Sequence, residues 1–263
     1  MTDRTISDFG EQWTHYRTNA GYFGSVDLLE DFLAPLLPLA EIRGARVGDV
    51  GSGNGRIVEM LLAAGAAKVV AVEPSDAFFV LQENTRAHAQ RIEYVHGTGD
   101  ALPGRGDLDI VVSIGVLHHI PEPRPVVEQA YRALRPGGKF LAWIYGHEGN
   151  ELYLGVAEPL RRLTTRIPHP LLVALTWALY PALRGYALAC ARLPLPMAAY
   201  MHRVIAPLSG QAARLVIYDQ LNPGYAKYYR RDEAMELFSW IFDRVELHHR
   251  HGYSWTILGH KAA

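Results

Sequence analysis

Several things are scarce in this chain, and each scarcity closes off a class of function. Cys190 is the one cysteine in 263 residues, so no internal disulfide can form and no zinc site of the cysteine-pair type is available. That composition suits a reducing compartment. The formal net charge is -1 with an isoelectric point near 6.9, which supplies no general positive field for a polyanion, so no nucleic-acid partner is expected. Met1 to Gly10 is polar and acidic where a secretory signal needs a basic start and an apolar run, and the expected location is the cytoplasm. The most apolar stretch, Pro170–Leu183, is shorter than the roughly 18 residues of a membrane span, and Pro181 is expected to interrupt it, so no stable span is expected. There is no internal repeat, no low-complexity tract, no metal-ligand spacing, no Asn-Pro-Pro-Tyr motif and no nucleophile with a paired base.

What is present changes texture along the chain. Residues 1–45 mix aromatics (Phe9, Trp13, Tyr16, Tyr22, Phe23) with a helix whose apolar face carries Leu28, Leu29, Phe32, Leu33 and Leu36. Across 46–150, short apolar runs alternate with amphipathic ones. Arg46–Val50, Val69–Glu73, Ile92–His96, Asp109–Ile114 and Lys139–Ile144 read as buried strands; Arg56–Ala64, Asp76–Ala89 and Pro125–Leu134 read as helices. Arg135-Pro-Gly-Gly138 reads as a helix stop and turn. Residues 151–217 are rich in Leu, Ala and Pro, with several arginines and hardly any acid, and read as an inserted helical cap. In 218–263 a helix over Arg231–Ile241 precedes strands at Arg244–His248 and Trp255–Leu258, an antiparallel finish to the sheet. The expected fold is α/β: a Rossmann-like, seven-stranded, mostly parallel, doubly wound sheet with an N-terminal helical segment and the cap.

The strongest chemical signal is Val47-Gly-Asp-Val-Gly-Ser-Gly-Asn-Gly-Arg56, a strand running into three alternate glycines and a helix. Gly51, Gly53 and Gly55 allow a tight turn and leave bare amides at a helix N-terminus. Asp49 stands two residues before the first glycine, and Glu73 closes the next strand 22 residues after Gly51, where a carboxylate can accept ribose hydroxyls. The second glycine interval is one residue tighter than in the dinucleotide fingerprint, which favours a nucleoside ligand without phosphates.

From these glycines onward the sequence resembles the class I methyltransferase family. Gly97-Thr-Gly-Asp-Ala-Leu-Pro103 is similar to the loop that edges the adenine, Leu108–Pro121 to the fourth strand and its loop, and Leu134–Phe140 to the turn before the fifth strand. The resemblance implies S-adenosylmethionine as cofactor. It places Gly51, Ser52 and Gly53 along the methionine part, Glu73 at the ribose, and Pro74 and Ser75 beside the adenine. Thr98, Gly99 and Asp100 would cap the adenine edge, with Ser113, Ile114, Gly115 and Val116 near the sulfur. Thr98 departs from the family, which commonly has an acid there, so Asp100 is the substitute. Phe9-Gly-Glu-Gln-Trp-Thr-His-Tyr16 is similar to an N-terminal segment that folds over the cofactor and brings Tyr16 to it. Tyr218–Tyr225 and Trp255–Lys261 are similar to the family's C-terminal portion. Where relatives have a His-Thr pair, this chain has Tyr229-Arg230.

Tyr16, Tyr22, Tyr145, Tyr153, Tyr225, Tyr228 and Tyr229 flank the expected cofactor mouth, and as a group they suggest an aromatic pocket attractive to a sulfonium. Tyr145, Asn150, Tyr225 and His118 are the candidates for contact with the reacting groups. His118 and His119 after a strand are more often packing residues than ligands, and His249 and His251 are expected on one face of a strand. Displacement at a sulfonium carbon depends on positioning and dryness more than on an acid–base pair. The expected reaction is alkyl transfer, most simply methylation, to a small-molecule acceptor of secondary metabolism; two alternatives stay open. One is cyclisation of S-adenosylmethionine itself to azetidine-2-carboxylate with release of methylthioadenosine, an activity of some methyltransferase-like relatives. The other is a non-catalytic cofactor-binding or membrane-associated protein. The cap is read as a lid over substrate, with a homodimer contact and an interfacial membrane element as the other readings.

Overall fold

A computed structural model describes residues 3–164, 167–222 and 224–263; Pro223 of the C-terminal family-like stretch lies outside the described residues. The short apolar runs become β1 (Arg46–Val50), β2 (Lys68–Glu73), β3 (Ile92–His96), β4 (Leu108–Ile114), β5 (Leu134–Tyr145), β6 (Arg244–Arg250) and β7 (Ser254–His260). They form one seven-stranded sheet in the order β3-β2-β1-β4-β5-β7-β6, parallel except for β7, which runs antiparallel to both neighbours. Both faces are covered, and alternation divides each strand between two cores: Val69 and Ala71 of β2 pack on one side, Val70 and Val72 on the other. Helices α1 (Asp3–His15) and α2 (Val26–Leu33) precede the sheet, α3 (Arg56–Ala63), α4 (Ala77–Asn84) and α5 (Arg124–Ala133) connect its strands, and the cap follows β5. The cap consists of α6 (Glu151–Thr164), α7 (His169–Cys190), the short α8 (Ala198–Tyr200) running into a π-helical turn at Met201–Ile205, and α9 (Gly210–Leu221); α10 (Arg231–Ser239) then leads into β6.

Three sequence expectations are corrected. The helix expected over 76–89 stops at Asn84, where the Thr85 hydroxyl bonds Leu81 O and Tyr94 Oη at 2.7 Å each, and a 3₁₀ turn (Arg86–Arg91) continues the path. The turn expected at 135–138 is drawn into β5 as an irregularity. Leu108 faces Leu134 while Ile110 already faces Lys139, and Gly137, at φ +73°, donates its N–H to Ala262 O at 2.9 Å. Pro181 does not interrupt α7, which runs 22 residues without a break and is, by length and composition, long and apolar enough to cross a membrane. Proline lacks one donor and crowds the preceding turn, but the long packed helix absorbs that local loss. In α2, Leu28, Leu29, Phe32 and Leu33 are buried as expected; Leu36 follows Pro35 outside the helix and packs against the same core.

Candidate active site

The strand order reverses between β1 and β4, and ligands of open α/β sheets bind outside the strand ends at such a switch point. Here Gly51 directly follows β1 and Gly115 directly follows β4, at φ +80° and +81°. An added Cβ on Gly51 would stand 2.4 Å from Val116 Cγ2, so the backbone approaches its neighbour too closely for any other residue. Glu73, at the end of β2, ties the turn together. Its Oε2 accepts from Gly53 N at 2.8 Å, and its Oε1 from Ser75 N at 3.0 Å and Ser75 Oγ at 2.5 Å. Burial pushes the Glu73 carboxyl up, against these hydrogen bonds, which hold it down. Asp49 is 1 % exposed, and burial carries it up to about 7, with the Ser52 hydrogen bond opposing; its Oδ2 has no partner.

The N-terminal segment roofs this turn. Asn54 donates to Tyr16 O at 3.0 Å, and Asn84 donates to Asn54 O at 2.8 Å and Arg17 O at 2.9 Å. Through these bonds α1 sets Phe9, Gln12 and Trp13 over a cavity of about 700 Å³, within the usual span of ligand pockets. The other walls are the strand ends and the inward faces of α6, α7 and α9, including Leu160, Leu179, Leu183, Leu215 and Ile217.

Where sheet and cap meet, a polar network enters the cavity wall. Asp219 Oδ2 accepts from Tyr145 Oη at 2.8 Å, and its Oδ1 accepts from Gln12 Nε2 at 3.0 Å. Gln220 donates to Tyr145 Oη at 2.9 Å and accepts from Tyr153 at 2.8 Å and Tyr228 at 3.0 Å; Arg161 donates to Tyr228 Oη at 3.1 Å. Burial first, then the Asp219 charge, pushes the Tyr145 phenol well above its ordinary value, so it stays a donor. Arg56, the first residue of α3, also faces the cavity, stacked at 4.2 Å over Phe23; burial brings its guanidinium down to about 10, with Asp219 and Asp49 opposing. Arg250 lines the cavity too, but is paired with Asp31.

The sequence candidates divide accordingly. Gly51, Glu73, Pro74, Thr98, Gly99, Asp100, Ile114, Gly115, Tyr145 and Asn150 line the cavity. Thr98 donates its hydroxyl to Asp100, which couples the residue at the departed position to its substitute. Asn150 spends its amide hydrogens on Gly146 O at 2.8 Å and Tyr253 O at 2.6 Å, anchoring the start of α6. Asp49, Ser52, Gly53, Gly55 and Ser113 lie behind the lining; Ser113 Oγ reaches Val50 O at 3.4 Å. Tyr16 turns away, its ring 5.7 Å from that of Tyr218, and Trp13 of the same motif takes the cavity position. Tyr225 meets His119 Nδ1 only through its backbone oxygen, at 2.8 Å. His118 is fully buried with neither ring nitrogen partnered, stacked 3.7 Å from the Tyr145 ring; burial holds it well below 6.5 and neutral. His249 stacks on Trp255 at 4.3 Å, while His251 falls past the end of β6 and pairs with Asp31 at 2.8 Å, so the expected shared face does not form. Asp219, Gln220, Gln12, Arg56 and Arg250 had no role in the sequence reading, although Arg56 closes the glycine motif and Gln12, Asp219 and Gln220 stood in family-like stretches; which of them turns to the cavity depends on how the segments pack.

The residues fit S-adenosylmethionine. Acceptors dominate the polar lining: Glu73 keeps an acceptor position on Oε2, and the buried Gln12 Oε1 has no donor. Aromatic faces of Trp13, Trp143, Tyr145, Tyr153 and Tyr228 stand around them, a setting that favours a cationic ligand. Glu73 would hold the ribose, the Gly51 turn the methionyl part, and Thr98 to Asp100 the adenine edge.

Comparison with known proteins agrees. Residues 48–142 match the family described as methyltransferase domain. The ubiquinone biosynthesis O-methyltransferase of Aromatoleum aromaticum is 32% identical over 103 residues, 38% of this chain and 44% of that protein. A tRNA U34 carboxymethyltransferase of Chromohalobacter salexigens is 35% identical over 109 residues, 39% and 33% of the two chains. The chain thus spans less than half the length of these curated relatives. The pyocyanin biosynthetic protein PhzM shares the fold, with a TM-score of 0.54 over 90% of this chain and 55% of its own at 14% identity. The glycine turn, the sheet order and the matched domain together make this chain a carrier of a class I S-adenosylmethionine-dependent methyltransferase domain, with S-adenosylmethionine as its cofactor.

Proposed function

We propose that the protein methylates a small acceptor with a largely apolar body. One observation carries this reading: the cofactor-facing residues Gly51, Glu73 and Asp100 line the same cavity of about 700 Å³ as Leu179, Leu183 and Leu215 of the cap, so cofactor and acceptor would share one dry chamber. S-adenosylmethionine supplies a methyl group on a sulfonium. The chain supplies orientation and exclusion of water, which account for most of the rate in such displacements. Trp13 and Phe9 roof the chamber, Tyr145 is braced by His118 behind it, and Asp219 is held by Gln12 and Tyr145 where an acceptor's departing proton can be taken up. One relative acts on tRNA, but the net charge of -1 and the apolar lining favour a small molecule here. A reducing cytoplasm and a role in secondary metabolism fit the buried free thiol of Cys190 and the enclosed chamber.

The test is calorimetry with S-adenosylmethionine and S-adenosylhomocysteine, followed by incubation with apolar phenols, enols and amines and mass analysis of both products. Cofactor uptake with acceptor-dependent adenosylhomocysteine supports the reading; no uptake by folded protein ends it. Asp219 also favours a second reading, because a carboxylate in the chamber could deprotonate the cofactor's own ammonium. The freed amine would form a bond to the γ-carbon as the carbon–sulfur bond breaks, giving azetidine-2-carboxylate and methylthioadenosine. Methylthioadenosine formed from S-adenosylmethionine alone, in amounts that Asp219→Asn abolishes, would favour it.

A further inference from the structure

Eight large apolar side chains are well exposed among the described residues, and six of them lie in the cap: Leu163, Leu171, Trp177, Tyr186, Leu188 and Leu193. Their arrangement on α7 is regular. Leu171, Ala174, Trp177, Ala178, Pro181, Ala182, Gly185 and Leu188 are all exposed and recur at three- and four-residue intervals, an uncharged stripe about 26 Å long at 1.5 Å per residue. The opposite face is committed to the protein. Leu172 packs with Leu215 and Tyr218, and Ala187 and Cys190 pack with Met201, Ile205 and Ala213. Only 17% of the apolar window is buried, so this is not the inner helix of a soluble core.

Charge identifies the occupant. Residues 151–217 contain seven arginines, no lysine, and two acids, Glu151 and Glu158, in a chain whose net charge is -1. Arg214 stacks 3.6 Å over the exposed Trp177 ring at the edge of the stripe, and Arg192 is exposed just beyond the helix end. A basic rim with an aromatic beside an apolar stripe is the chemistry of a helix lying in the plane of an anionic bilayer surface. A second copy is the poorer match, since a two-fold contact would set like-charged rims against each other. Crossing the bilayer would require α7 to abandon its buried face.

We infer that the cap docks the protein on anionic membrane surfaces through the outer face of α7, with Leu171, Trp177 and Leu188 entering the headgroup boundary and Arg192 and Arg214 at the lipid charges. The inference stands apart from the reaction, because none of these five residues lines the chamber.

The test is flotation of the full chain with vesicles of phosphatidylcholine mixed with phosphatidylglycerol, against phosphatidylcholine alone, at low and high salt. Binding to the mixed vesicles is expected to be on the order of 100-fold stronger than to the neutral ones, and to weaken with salt. The triple variant Leu171→Gln, Trp177→Gln, Leu188→Gln should lose it by at least about tenfold, while keeping its melting temperature and its uptake of S-adenosylmethionine. Arg214→Gln should weaken only the salt-sensitive part. Equal or absent binding to the two vesicle types overturns the proposal, as does a dimer in light scattering that the triple variant converts to monomer. If the triple variant fails to fold, Arg192→Glu decides: unchanged binding to anionic vesicles overturns the proposal.

Discussion

The chamber has two halves built by different physics. On the sheet side, the chamber is walled by the strand-end turns, whose Gly51, Ser52, Gly53 and Gly115 amides are already bonded within the protein rather than bare as the glycine pattern suggested, and by one buried carboxylate, Glu73, whose oxygens are already directed by Gly53 and Ser75. On the cap side it meets aliphatic side chains of α6, α7 and α9, with Asp219 and Gln220 at the seam. Backbone geometry is stiff and insensitive to most side-chain changes, so the sheet side suits a cofactor of fixed shape. Packed aliphatic side chains can be exchanged at modest cost if volume is kept, so the cap side suits an acceptor that differs from relative to relative. The two halves should therefore respond differently to perturbation.

The largest effect is expected at Glu73→Ala. It removes the carboxylate proposed to hold the ribose and leaves the buried amides of Gly53 and Ser75 without a partner, and loss of hydrogen bonds to a charged group of this kind costs about 3 kcal/mol, or roughly 100-fold. Calorimetric affinity for S-adenosylmethionine should fall by that factor; an unchanged affinity would show that the cofactor is not held by the sheet side. Next is Asp49, whose pKa of about 7 lies above the ordinary carboxylate value of about 3.9 in the unfolded chain. The unfolded state therefore loses its proton first as pH rises, and this group removes stability steadily between about pH 4 and 7, with no further change above. Asp49→Asn should abolish that loss, so denaturation midpoints of variant and native chain should diverge from pH 4 to pH 7 and then run parallel. Parallel curves throughout would place Asp49 in a solvated setting.

On the cap side, Leu215 is 4 % exposed and packs with Leu172 and Tyr218. Leu215→Ala should destabilise by about 2 kcal/mol through lost burial and a residual cavity, yet change cofactor affinity by less than about twofold. A loss of affinity as large as that of Glu73→Ala would erase the distinction between the halves. The smallest effect is expected at the seam. Tyr145→Phe keeps the stack on His118 and removes the bond to Asp219, at about 1 kcal/mol of stability, and turnover should fall further than cofactor affinity. Equal falls in both would assign the Tyr145 hydroxyl to the cofactor rather than to the acceptor.

Legibility follows the same division. β1 and β3 begin and end where their apolar runs do, and Gly51, Glu73 and Asp100 are in the lining, because strand-end turns impose local requirements that a sequence displays. Tyr16 was read as a cofactor contact, but Trp13 lies on α1 and Tyr16 just past its end, and only the docking of α1 on the glycine turn selects which enters. Tyr225 and His118 were drawn from loops, where neighbours in sequence do not determine which atom faces inward: Tyr225 offers its backbone, and His118 sits behind Tyr145.

From sequence alone came the α/β class, the mostly parallel seven-stranded sheet, the helical insert and the cofactor turn, since hydrophobic period and glycine position are local quantities. The tertiary structure alone decided that residues 12, 145 and 219 meet at one carboxylate, that Arg56 faces the chamber, and that α7 keeps one apolar face for the protein and leaves the other outside. Those outcomes depend on how helices far apart in the chain pack together, and many surfaces of similar apolarity compete for each partner until the whole chain is folded.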